Sequence, residues 1–196
     1  MKKMMMIAVA VMGAALVNAA TFQWGVTELH ATGGSQNDGS GWASAGTTVM
    51  LIYNGNSGSS FGGIQYNTST ASWELQGSGQ IVASYVTTGA DYDLGNFSQT
   101  ITGVTQAWLG NSFATWEAMN TMNFTIVAVS GTQYGYLSGN ATGFSTAFGA
   151  NSQGQLAFAS LDAAANGTYT VVPEPSSMAL LALGAAALGL RRKFRK

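Results

Sequence analysis

The clearest hairpin signal in the sequence is the stretch Asn123-Phe-Thr-Ile-Val-Ala-Val-Ser-Gly-Thr-Gln-Tyr-Gly-Tyr-Leu-Ser138, in which a short turn joins two β-rich runs. β-Branched and aromatic residues fill both runs. Ser130-Gly131 supplies the turn, since glycine adopts the positive φ angles that tight hairpins require. The stretch therefore predicts an antiparallel hairpin over residues 123–129 and 132–138.

Similar short runs, separated by Gly- and Asn-containing turns, extend outward from this hairpin on both sides. They lie at residues 21–29, 47–53, 72–76, 80–87, 155–160 and 168–172. Many short strands at such spacing are typical of a sandwich or barrel. We expect a mainly β fold, an antiparallel β-sandwich or jelly-roll-like single domain over residues 20–172, with one or two helical turns only within residues 111–120.

The charges are distributed very unevenly along the chain. All seven Lys and Arg side chains lie at the two ends, so residues 20–172 contain none. The same stretch contains seven acids, namely Glu28, Asp38, Glu74, Asp91, Asp93, Glu117 and Asp162. Nucleic-acid binding needs Lys and Arg to neutralise phosphates, so this partner class is excluded. The chain also has no cysteine, which excludes disulfides.

The first 19 residues have the order of a secretory signal. Lys2 and Lys3 form a basic start, residues 4–17 are apolar with one small glycine, and Val17 and Ala19 are small residues before a cleavage point. This order predicts a signal peptide over residues 1–19, a helix that the Sec translocon handles and that is cut after Ala19.

The other end is apolar and then basic. Residues 178–190 carry no polar side chain on any helical face. Thirteen residues reach only ~20 Å, but starting the helix near residue 176 and snorkelling of basic side chains bring it closer to the ~30 Å hydrocarbon layer. A basic stop-transfer cluster follows, made of Arg191, Arg192, Lys193, Arg195 and Lys196. The positive-inside rule predicts a transmembrane helix at about residues 176–190 and a cytoplasmic tail over residues 191–196.

Together, Pro173-Glu174-Pro175, the apolar helix and the basic cluster resemble a PEP-CTERM protein, in order, spacing and terminal position. The resemblance covers residues 173–196. It implies an exosortase substrate whose sorting residues are Pro173, Glu174 and Pro175. It also implies an inner-membrane-anchored precursor and a final place at the cell surface, outer envelope or extracellular matrix, in bacteria that build exopolysaccharide or biofilm. The role of residues 20–172 does not follow from it.

Few residues of the middle are candidates for chemistry. Trp42 and Trp108 offer flat faces for sugar stacking, although tryptophans in a leucine-poor domain also serve as core. Asp91 and Asp93 are candidate oxygen ligands for Ca²⁺. His30 is the only histidine, so any Ser–His–Asp arrangement must use it.

We therefore expect a non-enzymatic exported protein that needs no cofactor and has polysaccharide as a candidate partner. The alternatives are a carbohydrate-binding module and a secreted glycoside hydrolase. A hydrolase of this kind requires two carboxylates that flank the bond. The acids of residues 20–172 allow at least five such pairs and nothing in the sequence selects one, so mutation of Glu74 and Glu117 is the test of this alternative.

Overall fold

The computed structural model of the protein describes residues 20–30, 46–56, 60–88, 97–105, 107–110, 113–144, 153–173 and 179–186. These residues are mostly β-structure, as predicted. The strands are β1 Ala20–Val26, β2 Leu29–His30, β3 Thr48–Asn56, β4 Ile64–Asn67, β5 Ser72–Leu75, β6 Gln80–Val86, β7 Phe97–Val104, β8 Met122–Ser130, β9 Gln133–Asn140, β10 Gln153–Phe158, β11 Leu161–Asp162, β12 Gly167–Thr168 and β13 Thr170–Val172.

The predicted hairpin is confirmed as β8 and β9, which pair antiparallel. Ser130 pairs with Gln133, so the two loop residues are Gly131 and Thr132, one position later than predicted. Gly131 has φ 58°, and a type II′ turn requires glycine at this first loop position. The hairpin forms part of a five-stranded sheet with the order β12-β9-β8-β3-β6, which we call the central sheet.

The central sheet is buried on both faces where β3 and β8 run side by side. Successive side chains of a strand point to opposite faces. On β3, Leu51 belongs to one core with Phe22, whereas Met50 belongs to a second core with Ile64. Met50 and Leu51 are both 0% exposed. This double burial explains the unbroken apolar runs of these strands, which an open sheet with one wet face does not need.

Two smaller sheets provide the covering layers. The sheet β10-β1-β7 covers the first core, where Phe22 lies 5.1 Å from Phe124, ring centroid to ring centroid. The sheet β13-β4-β5, which we call the small sheet, covers the second core through Ile64, Trp73 and Leu75. The described residues thus form three β layers around two cores.

The mainly β fold is confirmed, but the expected antiparallel arrangement does not hold for every pair of strands. Three strand pairs are parallel, namely β1 with β10, β2 with β11, and β4 with β13. Parallel neighbours need a long crossover connection. Each of these pairs joins a strand from the first half of the chain to one near the end of the domain. The strands and loops that lie between the two partners in the sequence therefore form the crossover connection.

Helical structure is sparse among the described residues. A short 3-10 helix at Trp116–Thr121 overlaps the predicted turns, and another lies at Trp108–Gly110. An α-helix, α1, covers residues 179–186 inside the predicted transmembrane segment. No helix in the described ranges has the length and apolar character needed to cross a membrane. The predicted signal peptide at residues 1–19 and the tail at residues 191–196 lie outside these ranges.

Candidate functional site: the sorting junction and a polar sheet face

The segment that leads into Pro173 is part of the folded domain. β13 pairs in parallel with β4, and Val172 lies opposite Asn67. The Val172 carbonyl oxygen accepts a hydrogen bond from the Thr68 backbone N–H at 3.2 Å and another from Thr68 Oγ1 at 2.9 Å. The backbone is therefore hydrogen-bonded to the small sheet as far as Val172, and the next residue, Pro173, is exposed.

Tyr169 ties the same segment to the central sheet. Its backbone N–H donates to the Thr132 carbonyl at 3.3 Å, and its hydroxyl donates to the Gly131 carbonyl at 3.1 Å. Its ring packs edge-on against Trp73, with the centroids 4.7 Å apart. Residues 167–172 thus pass from the edge of the central sheet to the edge of the small sheet, and they bind both.

An ionised carboxylate lies on the outer face of the small sheet, across β4 from β13. Glu74 Oε2 accepts a hydrogen bond from Gln65 Nε2 at 2.9 Å, and Oε1 accepts one from Asn67 Nδ2 at 2.7 Å. The hydrogen bond from Gln65 and, to a lesser extent, the one from Asn67 hold the pKa of Glu74 below its usual value of 4.5. Burial has a smaller effect in the opposite direction. The small sheet therefore presents a negative charge at neutral pH.

A second feature is the outer face of the β10-β1-β7 sheet, which we call the polar face. It consists of hydroxyl and amide side chains: Thr21, Gln23, Ser98, Thr100, Thr102, Gln153 and Gln155. Gln23 Nε2 donates to Ser98 Oγ at 3.0 Å. A depression of about 540 Å³ over Gln23 and Gln155 is lined by Thr, Gln and Gly, so none of the described lining residues is ionisable. A neighbouring hollow of about 270 Å³ lies along β1 between Gln23 and Thr27, and its lining is mainly apolar.

The structure places only some of the predicted stacking and metal-binding residues. Trp108 is half-buried, with its ring centroid 5.4 Å from that of Phe22 and 5.7 Å from that of Phe124. Trp24 and Trp116 are each 1% exposed and belong to the core. Trp42, Asp91 and Asp93 lie outside the described residues, as do Glu174 and Pro175. Sugar stacking by Trp42 and Trp108, Ca²⁺ binding by Asp91 and Asp93, and the sorting role of Glu174 and Pro175 stay predictions.

The residues considered for catalysis are separated in the fold. His30 is 2% exposed, with Nε2 3.5 Å from Glu28 Oε2. Glu74 lies in the small sheet, whereas Glu117 is exposed on the 3-10 helix. Within the described ranges, no three His, Cys, Asp or Glu side chains are grouped so that they could hold a metal ion.

Comparison with known families gives one match. The model of the PEP-CTERM protein-sorting motif matches residues 171–193. The comparisons with curated proteins and with solved structures found no match. The motif agrees with the resemblance carried by Pro173-Glu174-Pro175, and it implies an exported, membrane-anchored precursor that an exosortase processes.

Proposed function

We propose that this protein, which contains the sorting motif, is exported, and that its non-enzymatic β domain, residues 20–172, is located at the cell surface or in the extracellular matrix. A signal peptide over residues 1–19 starts its export through the Sec translocon, and exosortase processing at Pro173-Glu174-Pro175 releases it from its anchor. The observation that carries this proposal is the direct continuity between the folded strand β13 and the matched motif.

The test replaces Pro173, Glu174 and Pro175 by alanine together in the full chain. We expect a longer species that stays in the membrane fraction, because the enzyme loses its recognition residues while the apolar segment remains. Immunoblots of membrane, envelope and medium fractions, with mass spectrometry of the purified species, measure this. Unchanged length and location would contradict the proposal.

A second candidate function is the binding of uncharged polysaccharide, and the polar face favours it. Sugar hydroxyls form hydrogen bonds with amide and hydroxyl groups, and a concave polar surface of Gln, Thr and Ser provides both donors and acceptors. A neutral glycan also avoids repulsion by the acidic domain, which has seven acids and no cation. This candidate uses other side chains than Trp42 and Trp108, the two tryptophans that the sequence pointed to.

Binding of the exported protein to a panel of neutral glycans tests this second function. Gln23→Ala and Gln155→Ala should each weaken binding about tenfold if each amide makes one or two hydrogen bonds with the sugar. Gln80→Ala, an exposed glutamine on β6, is the matched control. If Trp108→Ala abolishes binding and the polar-face variants do not, the sugar stacks on Trp108 instead.

A further inference from the structure

The matched sorting motif and the folded domain share residues. The motif begins at residue 171, whereas β13 extends to Val172. Val171 and Val172 therefore belong to both, and no linker separates the sheet from Pro173. The first residues of the motif are thus hydrogen-bonded into the small sheet.

The two prolines of the motif limit the backbone groups that an enzyme can bind, which makes the preceding residues, Val171 and Val172, important for recognition. Pro173 and Pro175 have no backbone N–H, so residues 173–175 offer a single main-chain donor, on Glu174. An enzyme that binds an extended peptide through its backbone needs further groups on either side. The nearest preceding group is the Val172 carbonyl oxygen, which already accepts two hydrogen bonds from Thr68.

The attachment of β13 is also weak enough to open. The strand has three residues, its side chains are exposed or half-buried, and Val171 is 52% exposed. Little apolar burial holds it, so backbone hydrogen bonds and the Thr68 hydroxyl carry most of the attachment. Short segments with few buried contacts open locally without global unfolding.

We propose that β13 detaches from β4 before the sorting motif is processed, and that Thr68 is a positioning residue that sets how often it detaches. This inference rests on the proposed function, because it concerns the same processing event. The docked form protects the motif, and the detached form presents Val171 and Val172 to the enzyme. Processing is then limited by the population of the detached form.

The first test compares Thr68→Val with Thr70→Val in pulse–chase experiments on the full chain in cells that process it. Valine keeps the shape of threonine and has a methyl group in place of the hydroxyl, so it cannot donate this hydrogen bond. Thr68→Val should speed processing about fivefold, the effect of losing one hydrogen bond on the opening equilibrium. The Thr70 hydroxyl bonds to Ser72 Oγ instead, so its variant should process at the wild-type rate. Hydrogen exchange of the precursor should quicken about fivefold at residues 170–172 in Thr68→Val and not in Thr70→Val, and the free energy of unfolding of Thr68→Val should fall by no more than the loss of this one hydrogen bond.

The second test locks the strand. Gln65 and Thr170 are register partners, and the chain has no cysteine, so Gln65→Cys with Thr170→Cys forms one defined disulfide. The oxidised pair should remain unprocessed, reduction should restore processing, and each single cysteine variant should behave like the wild type. Wild-type processing of the locked form, or slower processing of Thr68→Val, overturns the inference. The triple alanine variant separates the two proposals: if it is unprocessed while the locked form is processed, the sorting proposal stands and this one fails.

Discussion

Replacing Met50 and Leu51 by alanine, one at a time, tests whether β3 is buried on both faces. These neighbours point into different cores, and both are 0% exposed. Truncation of a fully buried Met or Leu to Ala removes the transfer free energy of the lost atoms and leaves a cavity, at a cost of about 2–5 kcal/mol. Each variant should therefore lose that much free energy of unfolding, and its melting temperature should fall by roughly 5–15 °C in a domain of this size.

Urea titration of the purified exported protein, followed by tryptophan fluorescence, measures the effect, since Trp24 and Trp116 are buried and report on unfolding. Ser84→Ala, at an exposed position of the edge strand β6, is the control and should stay within about 0.5 kcal/mol of the wild type. In a two-layer sandwich, one of two adjacent strand residues faces water. A Met50→Ala variant as stable as the control would therefore refute the second core and the covering position of the small sheet.

Two further predictions concern the small sheet and a close backbone contact. Since hydrogen bonds from Gln65 and Asn67 hold the pKa of Glu74 below its usual value of 4.5, the contribution of this carboxylate to stability is fully present above that value and is lost as the pH falls through the lower folded pKa. Urea titrations at neutral and acidic pH should thus show a smaller acid-induced loss for Glu74→Gln than for the wild type, and equal losses would contradict the hydrogen-bond assignment. At Gly135, an added Cβ would lie 1.6 Å from the Asp162 carbonyl oxygen. Gly135→Ala should therefore destabilise the domain by at least about 2 kcal/mol in urea titration. An unfolding midpoint equal to that of the wild type would show that β9 and β11 do not approach so closely.

The sequence predicted the parts of the fold that depend on neighbouring residues. The β8–β9 hairpin needed only its two runs and Gly131, and β3 was predicted from its apolar run. β7 was missed because only three of its eight residues, Phe97, Ile101 and Val104, are large and apolar. The parallel pairs were missed for a different reason, since local periodicity contains no information about a partner more than a hundred residues away.

The candidate site likewise has a part that depends on neighbouring residues, which the sequence predicted, and parts that depend on distant residues, which it did not. The motif at Pro173-Glu174-Pro175 is a contiguous signal, so the sequence alone pointed to it, and the family comparison confirmed it. The contact between Thr68 and Val172 joins residues 104 positions apart, and one threonine in a polar turn has nothing to distinguish it. The polar face could not be predicted from the sequence either, because its Thr, Gln and Ser side chains come from three strands and form one surface only when those strands are adjacent.

The three parallel pairs also set the time at which the domain can be completed. β1, β2 and β4 are made early, yet their partners β10, β11 and β13 arrive only with the last part of the domain. Closing such long loops is entropically costly, and chains dominated by distant contacts fold slowly. A nascent chain with this topology stays open until nearly all of it has emerged, which fits the export through the Sec translocon that we propose for it.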